Sequence, residues 1–395
     1  MWIYPCRWLA LWRFISTLPK DQTKIRVCNS SLLKKGSILL SKIQNGSVSS
    51  PIVGDMPKVL HDSKRISKGV IKIASTSSEA IVEALHRNPS KSLRSQRQFR
   101  EQFENRLLER WQKPIDLLEI LVAFCLQAGA SLKYSTKSGQ TRSPSDDFLF
   151  YVLRNLHARG CQVANEILSL LKAGFADGAH ARWRTLYEIA VISCFIKNHG
   201  QESAKRYLQY ESVENYKEML EYQRHYSELG YEPIPEKTIK GLSDAYQDII
   251  KRYGRAFGRP YGWIPENTLK DRSFAGIEKS EHFDKLRPYY ILACHNVHSG
   301  PKAIRFRLGI FRGGRHRAVV LAGASNYGLA DPGQGAAISL SQITTCFLST
   351  RPTIRNLTSM MVTLRLVDEI RTAFVEVQNQ IEREEQAAVT QSNSR

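Results

Sequence analysis

Two stretches of this chain place charged or titratable side chains inside apolar helical runs, where they could do chemistry. Residues 174–188 carry Arg184 and Glu188 one helical turn apart, and residues 295–300 carry His295 and His298. An unpaired charge is costly inside an apolar helix, so each group needs a partner or a ligand. We therefore predict that Arg184, Glu188 and His298 converge at one site.

The Arg184 and Glu188 pair has two interpretations that the residues leave open. One is a core ion pair that locks its helix to the neighbouring helices. The other is a catalytic site, in which Arg184 stabilises phosphate charge, Glu188 holds the guanidinium and His298 is the acid or base. On the second interpretation, the additional ligand-binding residues are Trp263, Tyr290, His295 and Ser299.

The histidine pair also raises the question of a metal. His295 and His298 are spaced so that both rings can share one face near a helix end. Metal sites in helix bundles add a Glu-x-x-His pair from each of two helices, and the chain has no such pairing into this helix. A histidine at a helix C-terminus more commonly stabilises the helix end by its charge. We predict no metal and no cofactor.

Other motifs do not name a reaction. The chain has no phosphate-binding loop, no dinucleotide-binding glycine motif, no nucleophile elbow and no zinc-ligand spacing. None of the ten histidines follows an arginine at the spacing used by one class of helical ribonucleases. This last absence weakens a ribonuclease interpretation.

The elements that must position these residues are predicted to be helices. Apolar residues recur at steps of three and four over 99–121 and over 352–387, and other long apolar segments are also helical in pattern. The sequence thus predicts an all-α fold, a multi-helix bundle in which the helix of Arg184 meets the helix end at His298. The long amphipathic helix 352–387 is a candidate contact for a homo-oligomer.

One basic segment breaks the helical pattern. Two short β-like runs around Gly313 and Gly314 predict a small β-hairpin near residues 303–322. A basic hairpin edge can contact the phosphates of RNA or another anionic ligand, or it can protect an edge strand from pairing with other chains. The candidate nucleic-acid contacts are Arg305, Arg307, Arg312, Arg315 and Arg317.

Charge and composition suggest how the chain is divided. The formal net charge is +20, and residues 1–100 hold 18 Lys and Arg against 5 Asp and Glu, a net +13. We predict a basic, largely disordered extension over 1–75, a single helical domain over 76–388 and a disordered tail over 389–395. We also predict no transmembrane segment and, from seven scattered cysteines, a cytoplasmic location.

The order of these features resembles that of a large, mainly bacterial family of unknown function, numbered 5677. The matching residues are Trp111 and Asp116 of one helix, Arg184, Leu186 and Glu188 of another, Trp263 of a loop, and Tyr290, Cys294, His298 and Ser299 at a helix end. The resemblance covers roughly residues 95–385. It implies the helical fold and the identity of the site, but no activity.

Two functions are compatible with these residues. The first is a defence or toxin-type effector that acts on RNA or a phosphate-bearing ligand, which the strong basicity and the hairpin favour. The alternative is a non-catalytic helical binding module whose polar cluster is structural, which the missing ribonuclease spacing favours.

Overall fold

The computed structural model of the chain describes residues 68–87, 89–132, 147–298, 300–310 and 321–393. These residues form helices and the turns that connect them, and no strand occurs among them. The predicted all-α class is therefore confirmed.

The helices are numbered here along the chain. They are α1 Lys68–Arg87, α2 Pro89–Ser131, α3 Phe148–Lys172, α4 Ala176–Gln209, α5 Glu211–His225, α6 Glu236–Tyr253, α7 Phe274–Ser280, α8 Arg287–Val297, α9 Pro301–Arg305, α10 Ala330–Leu348 and α11 Ile354–Asn393. Short 3-10 helices cover Arg255–Gly258 and Asp284–Leu286.

Contacts divide the chain into two units, residues 1–103 and residues 104–395. In the first unit the structure describes α1 and the start of α2, whose side chains are mostly exposed. An ion pair of 2.8 Å joins Glu83 to Arg87 on α1, and both side chains face solvent, so it contributes little to stability. The predicted boundaries at residues 75 and 388 stay a prediction.

The core of the second unit is built by α3, α4 and α10, which pack on one another. α8 packs on α4, α11 packs on α10, and α5 pairs with α6. α2 contributes Trp111, whose indole N–H donates to the side-chain oxygen of Asn326 over 3.0 Å and whose ring lies 5.9 Å from that of Phe374. Burial of these apolar faces is the main term that holds the helices together.

α2 also has the length and composition of a membrane-crossing helix over Leu93–Ser131. Its apolar residues Leu107, Trp111, Ile115 and Leu118 are almost completely buried within the second unit. The core helix of a folded domain passes the same compositional test, so this one segment is weak evidence for a membrane span.

Two glycines bring α10 unusually close to its neighbours. A Cβ atom at Gly333 would lie 2.3 Å from the ring of Phe374 on α11, and one at Gly335 would lie 2.7 Å from the indole nitrogen of Trp183 on α4. Neither distance leaves room for a methyl group. α10 therefore sets the position of an aromatic side chain on each of two neighbouring helices.

The predicted hairpin near 303–322 is wrong where the structure describes it. Pro301 follows Gly300 and begins a short helix, α9, because the fixed φ of proline suits the first helical position. Residues 306–310 then form a turn, held by Asp177, which accepts from the backbone N–H of Leu308 over 2.8 Å. Residues 311–320, with Arg312, Arg315 and Arg317, lie outside the described residues.

α11 buries one face and leaves another exposed. Asn356, Thr363, Val367 and Ile370 are buried, whereas four apolar residues on the opposite side face solvent. These are Ile354, Leu357, Met361 and Leu364. Self-association through this helix stays a prediction.

The start of α3 is fixed by Asp147. Its carboxylate accepts from the N–H of Phe150 over 3.0 Å, from the Gln201 side chain over 2.8 Å and from Arg351 over 2.6 Å. Burial alone would raise the pKa of Asp147, but the hydrogen bonds from Arg351, Gln201 and Phe150 lower it below its usual value. One carboxylate thus ties the N-terminus of α3 to α4 and to the segment before α11.

We expect Asp147→Ala to lower the free energy of unfolding by about 2 kcal/mol, because it removes a helix cap and the partner of Arg351. The folded-state pKa is lowered, so this contribution is present above the ordinary aspartate pKa of about 4 and is lost as the pH falls through the lowered value. Urea unfolding at pH 7 and pH 3 measures both effects. Asp368→Ala, at an exposed carboxylate, is the control, and equal losses in the two variants would contradict the role of Asp147.

We also expect a mild oxidant such as diamide to join Cys194 of α4 to Cys346 of α10, because their sulfur atoms lie only 3.3 Å apart. The azo compound takes up the two electrons and two protons that the thiols release. Non-reducing digestion and mass spectrometry detect the linked peptides. Cys346→Ser should abolish the link and Cys161→Ser should leave it intact; a link that survives in Cys346→Ser would contradict the pairing.

Candidate functional site

One face of α4 lies along α8 and carries a titratable side chain on successive turns. These residues are Asp177, His180, Arg184 and Glu188, spaced by three or four residues as a single helical face requires. The two helices run in opposite directions, so that His180 meets Asn296 and Glu188 meets Tyr290. We call this contact, with the residues that border it, the α4–α8 seam.

The centre of the seam is a triad formed by Arg184, Glu188 and Tyr290. The guanidinium Nη2 of Arg184 lies 2.9 Å from the Glu188 carboxylate and donates to the Tyr290 hydroxyl over 3.3 Å. That hydroxyl in turn donates to Glu188 over 2.7 Å. The side chains of Arg184 and Glu188 are 27% and 31% exposed, so solvent reaches the triad from one side.

The triad fixes the protonation of Arg184 and Tyr290. Burial alone would lower the pKa of Arg184, but the Tyr290 hydrogen bond and the Glu188 charge raise it above its ordinary value. Burial raises the pKa of Tyr290, and its hydrogen bond to Glu188 raises it further. At neutral pH the triad therefore holds a charged guanidinium and a neutral phenol.

A second polar network adjoins the triad through the ring contact between Tyr187 and Tyr290, whose centroids are 5.5 Å apart. The Tyr187 hydroxyl donates to the carboxylate of Glu278 over 2.9 Å, and Arg287 of α8 pairs with the same carboxylate. Glu278 is completely buried, and burial raises its pKa, although Tyr187 and Arg287 oppose that shift in part. Sequence analysis missed Glu278, because α7 is too short to show a helical period.

The other end of the seam holds Asp177 and His180. Asp177 accepts from the Arg307 side chain over 3.0 Å. His180 is 2% exposed, and its Nδ1 lies 3.2 Å from the side-chain nitrogen of Asn296. Its ring stacks on Trp183 at 5.4 Å, and burial lowers its pKa to about 4, opposed in part by the charge of Asp177. His180 is therefore a neutral imidazole at physiological pH.

Two buried nitrogens of the seam have no hydrogen-bond partner in the part of the chain that the structure describes. They are Nε2 of His180 and Nε of Arg184, and both belong to the face of α4 that carries the seam. Buried polar groups in folded proteins are nearly always paired. Two unpaired nitrogens on adjacent turns of one helix face indicate that the seam can bind a hydrogen-bond acceptor.

Among the described residues, no hydrogen bond or ion pair joins the side chain of His298 to Arg184 or Glu188, the two residues that we predicted to converge with it. His298 is the C-cap of α8 with an extended backbone, φ −101° and ψ 140°, and its side chain is exposed. Its backbone N–H donates to the carbonyl oxygen of Cys294 over 2.9 Å, but its side chain makes no hydrogen bond or ion pair with the residues that the structure describes. Arg184 and Glu188 meet Tyr290 instead. The catalytic roles of these residues stay predictions.

The other predicted ligand-binding residues are spread over the molecule. Tyr290 belongs to the triad, and His295 is partly buried on α8. Trp263 is buried against Phe195 and Tyr207, at ring distances of 5.5 and 5.1 Å, farther along α4. Ser299 lies outside the described residues.

Of the predicted nucleic-acid contacts, the structure describes Arg305 and Arg307. Arg305 is exposed at the end of α9, and Arg307 turns inward to pair with Asp177. Among the described residues, His, Cys, Asp and Glu side chains form no group of three that could hold a metal ion.

The fold and the seam define an all-α protein with a polar network between two antiparallel helices. Residues 150–315 match the model of a family of unknown function, DUF5677, and over these residues the predicted resemblance is confirmed. The matched segment contains both helices of the seam. Neither the curated proteins nor the solved structures contain a significant match.

We expect Tyr290→Phe to lower the free energy of unfolding by about 1–2 kcal/mol, because the ring stays but the hydroxyl shared by Arg184 and Glu188 is lost. Tyr289→Phe is the matched control, since that neighbouring side chain is exposed and should change stability by less than about 0.5 kcal/mol. Chemical unfolding of both variants checks this. A loss in the control as large as in Tyr290→Phe would show that the triad hydroxyl has no special role.

Proposed function

We propose that this protein is a helical binding module that takes an oxyanion of a phosphate-bearing ligand, such as RNA, on Arg184 of the α4–α8 seam. The observation that supports this most is the state of the guanidinium. Glu188 and Tyr290 both bind Nη2, while Nε has no partner and part of the side chain is open to solvent. The Arg184 side chain is thus held in one orientation, and its Nε–H remains unpaired.

An arginine held in this way suits an oxyanion. Its donors lie in one plane at fixed spacing, which matches the oxygens of a phosphate or carboxylate group. Glu188 and Tyr290 restrict the rotation of the side chain before the ligand arrives. Less conformational entropy is then lost on binding.

The charge of the whole chain supports a phosphate-bearing ligand. A net charge of +20 attracts RNA and other polyanions, and the first hundred residues hold most of that excess. In this proposal the protein acts in the cytoplasm as a defence or toxin-type effector that binds RNA or a related ligand. It assigns no catalytic role to the exposed His298.

A second candidate function is a binding module in which the seam is only structural. One observation favours it. Among the described residues of the seam, each arginine has its own carboxylate: Arg184 has Glu188, Arg287 has Glu278 and Arg307 has Asp177. The first pair lies within α4, the second joins α8 to α7, and the third joins α4 to the segment after α9. A balanced set of pairs of this kind can serve only to hold these elements in place.

The two candidates differ in what Arg184→Gln does to binding. For the anion site, we expect at least tenfold weaker binding of a labelled single-stranded RNA, measured by fluorescence anisotropy, because one charge-assisted contact is lost. Arg182→Gln is the matched control, since Arg182 lies on the same helix, is equally exposed and pairs with Glu166.

Thermal melts of both variants separate binding from stability. If the full chain binds neither RNA nor phosphate, or if Arg184→Gln binds like the wild type, the anion site is wrong and the structural candidate remains. A growth assay on expression of the wild type and Arg184→Gln tests the proposed effector role.

A further inference from the structure

His180 offers a hydrogen-bond donor that nothing in the seam accepts. An amide nitrogen can only donate, so the 3.2 Å contact makes Asn296 the donor and Nδ1 of His180 the acceptor. The neutral ring then carries its proton on Nε2, and that atom is buried without a partner. Asn296 therefore holds His180 in the tautomer whose free N–H is available to a ligand.

The unpartnered donors of His180 and Arg184 belong to side chains on adjacent turns of one helix. The two residues are four positions apart, so they share one face of α4, with a rise of about 6 Å between them. Two N–H···O bonds of about 2.9 Å each can bridge this rise to the oxygens of one tetrahedral group. A single ligand group can therefore satisfy both donors.

Burial limits how such a group can enter. His180 is 2% exposed and contacts both Trp183 and Asn296. An internal phosphodiester continues as polymer on both sides, and both continuations would have to fit beside a nitrogen that has almost no exposed surface. A terminal phosphate has one link and three oxygens, so it can enter with its free end.

We infer that the α4–α8 seam binds a terminal phosphate group, held by the Nε2–H of His180 and the Nε–H of Arg184. This inference rests on the proposed anion binding at Arg184 and narrows its ligand to a phosphomonoester. The group comes either from a small phosphorylated molecule or from the phosphorylated end of an RNA.

Three probes test the inference on the full chain: inorganic phosphate, a short RNA with a 5′-phosphate and the same RNA with a 5′-hydroxyl. We expect the 5′-phosphate RNA to bind at least tenfold more tightly than the 5′-hydroxyl RNA. His180→Phe keeps an aromatic ring against Trp183 and removes the donor, so the preference should disappear. His199→Phe, at a histidine whose Nδ1 contacts a carbonyl farther along α4, should retain it.

A second measurement does not depend on a variant that folds. Phosphate titration of the wild type should shift the imidazole ¹⁵N signals of His180, with the Nε2–H tautomer preserved. If inorganic phosphate shifts these signals and neither RNA binds, the inference holds and the ligand is a small phosphorylated molecule. Unchanged His180 signals at saturating phosphate would overturn it.

The inference and the proposed function fail in different ways. If both RNAs bind equally and Arg184→Gln weakens both, the anion site stands and the terminal-phosphate inference is wrong. If Arg184→Gln changes no binding, or no probe binds at all, both are wrong.

Discussion

A charged side chain on a packed helix needs a partner, because an unpaired charge in apolar surroundings is costly. The helix α4 carries several such side chains. It contributes to the core formed with α3 and α10, and its opposite face carries Asp177, Arg184 and Glu188. Glu188 on α4 itself pairs with Arg184, α8 adds the hydroxyl of Tyr290, and Arg307, after α9, pairs with Asp177. The α4–α8 seam and the residues that border it thus give each charge of this face a partner.

This requirement also explains which features could be predicted from the sequence. Arg184 and Glu188 were found because polar groups stood in an apolar helical run, Tyr290 was named as an additional ligand-binding residue, and the structure joins the three. The all-α class followed from apolar periodicity in the same way. Both predictions depend on local sequence patterns. They agree with the structure because the apolar residues that form the pattern are the residues that become buried.

The predictions that were wrong or incomplete depend on structural information that residue spacing does not contain. The three-residue step from His295 to His298 was interpreted as one helical face, but α8 ends at Val297 and the backbone of His298 is extended. The hairpin was predicted from β-like residues, although Pro301 favours a helix start. His180 was missed as a site residue, because only the antiparallel packing of α8 brings Asn296 against it.

The tight contact at Gly335 has an evolutionary consequence. Trp183 contacts both this glycine and His180, so the position of the indole sets where the imidazole lies. A relative with a larger residue at position 335 would need a smaller aromatic at 183, and its histidine would shift or lose its stacking partner. A substitution at position 335 on α10 is thus coupled to the position of the His180 ring on α4. The residues at positions 335 and 183 are expected to covary.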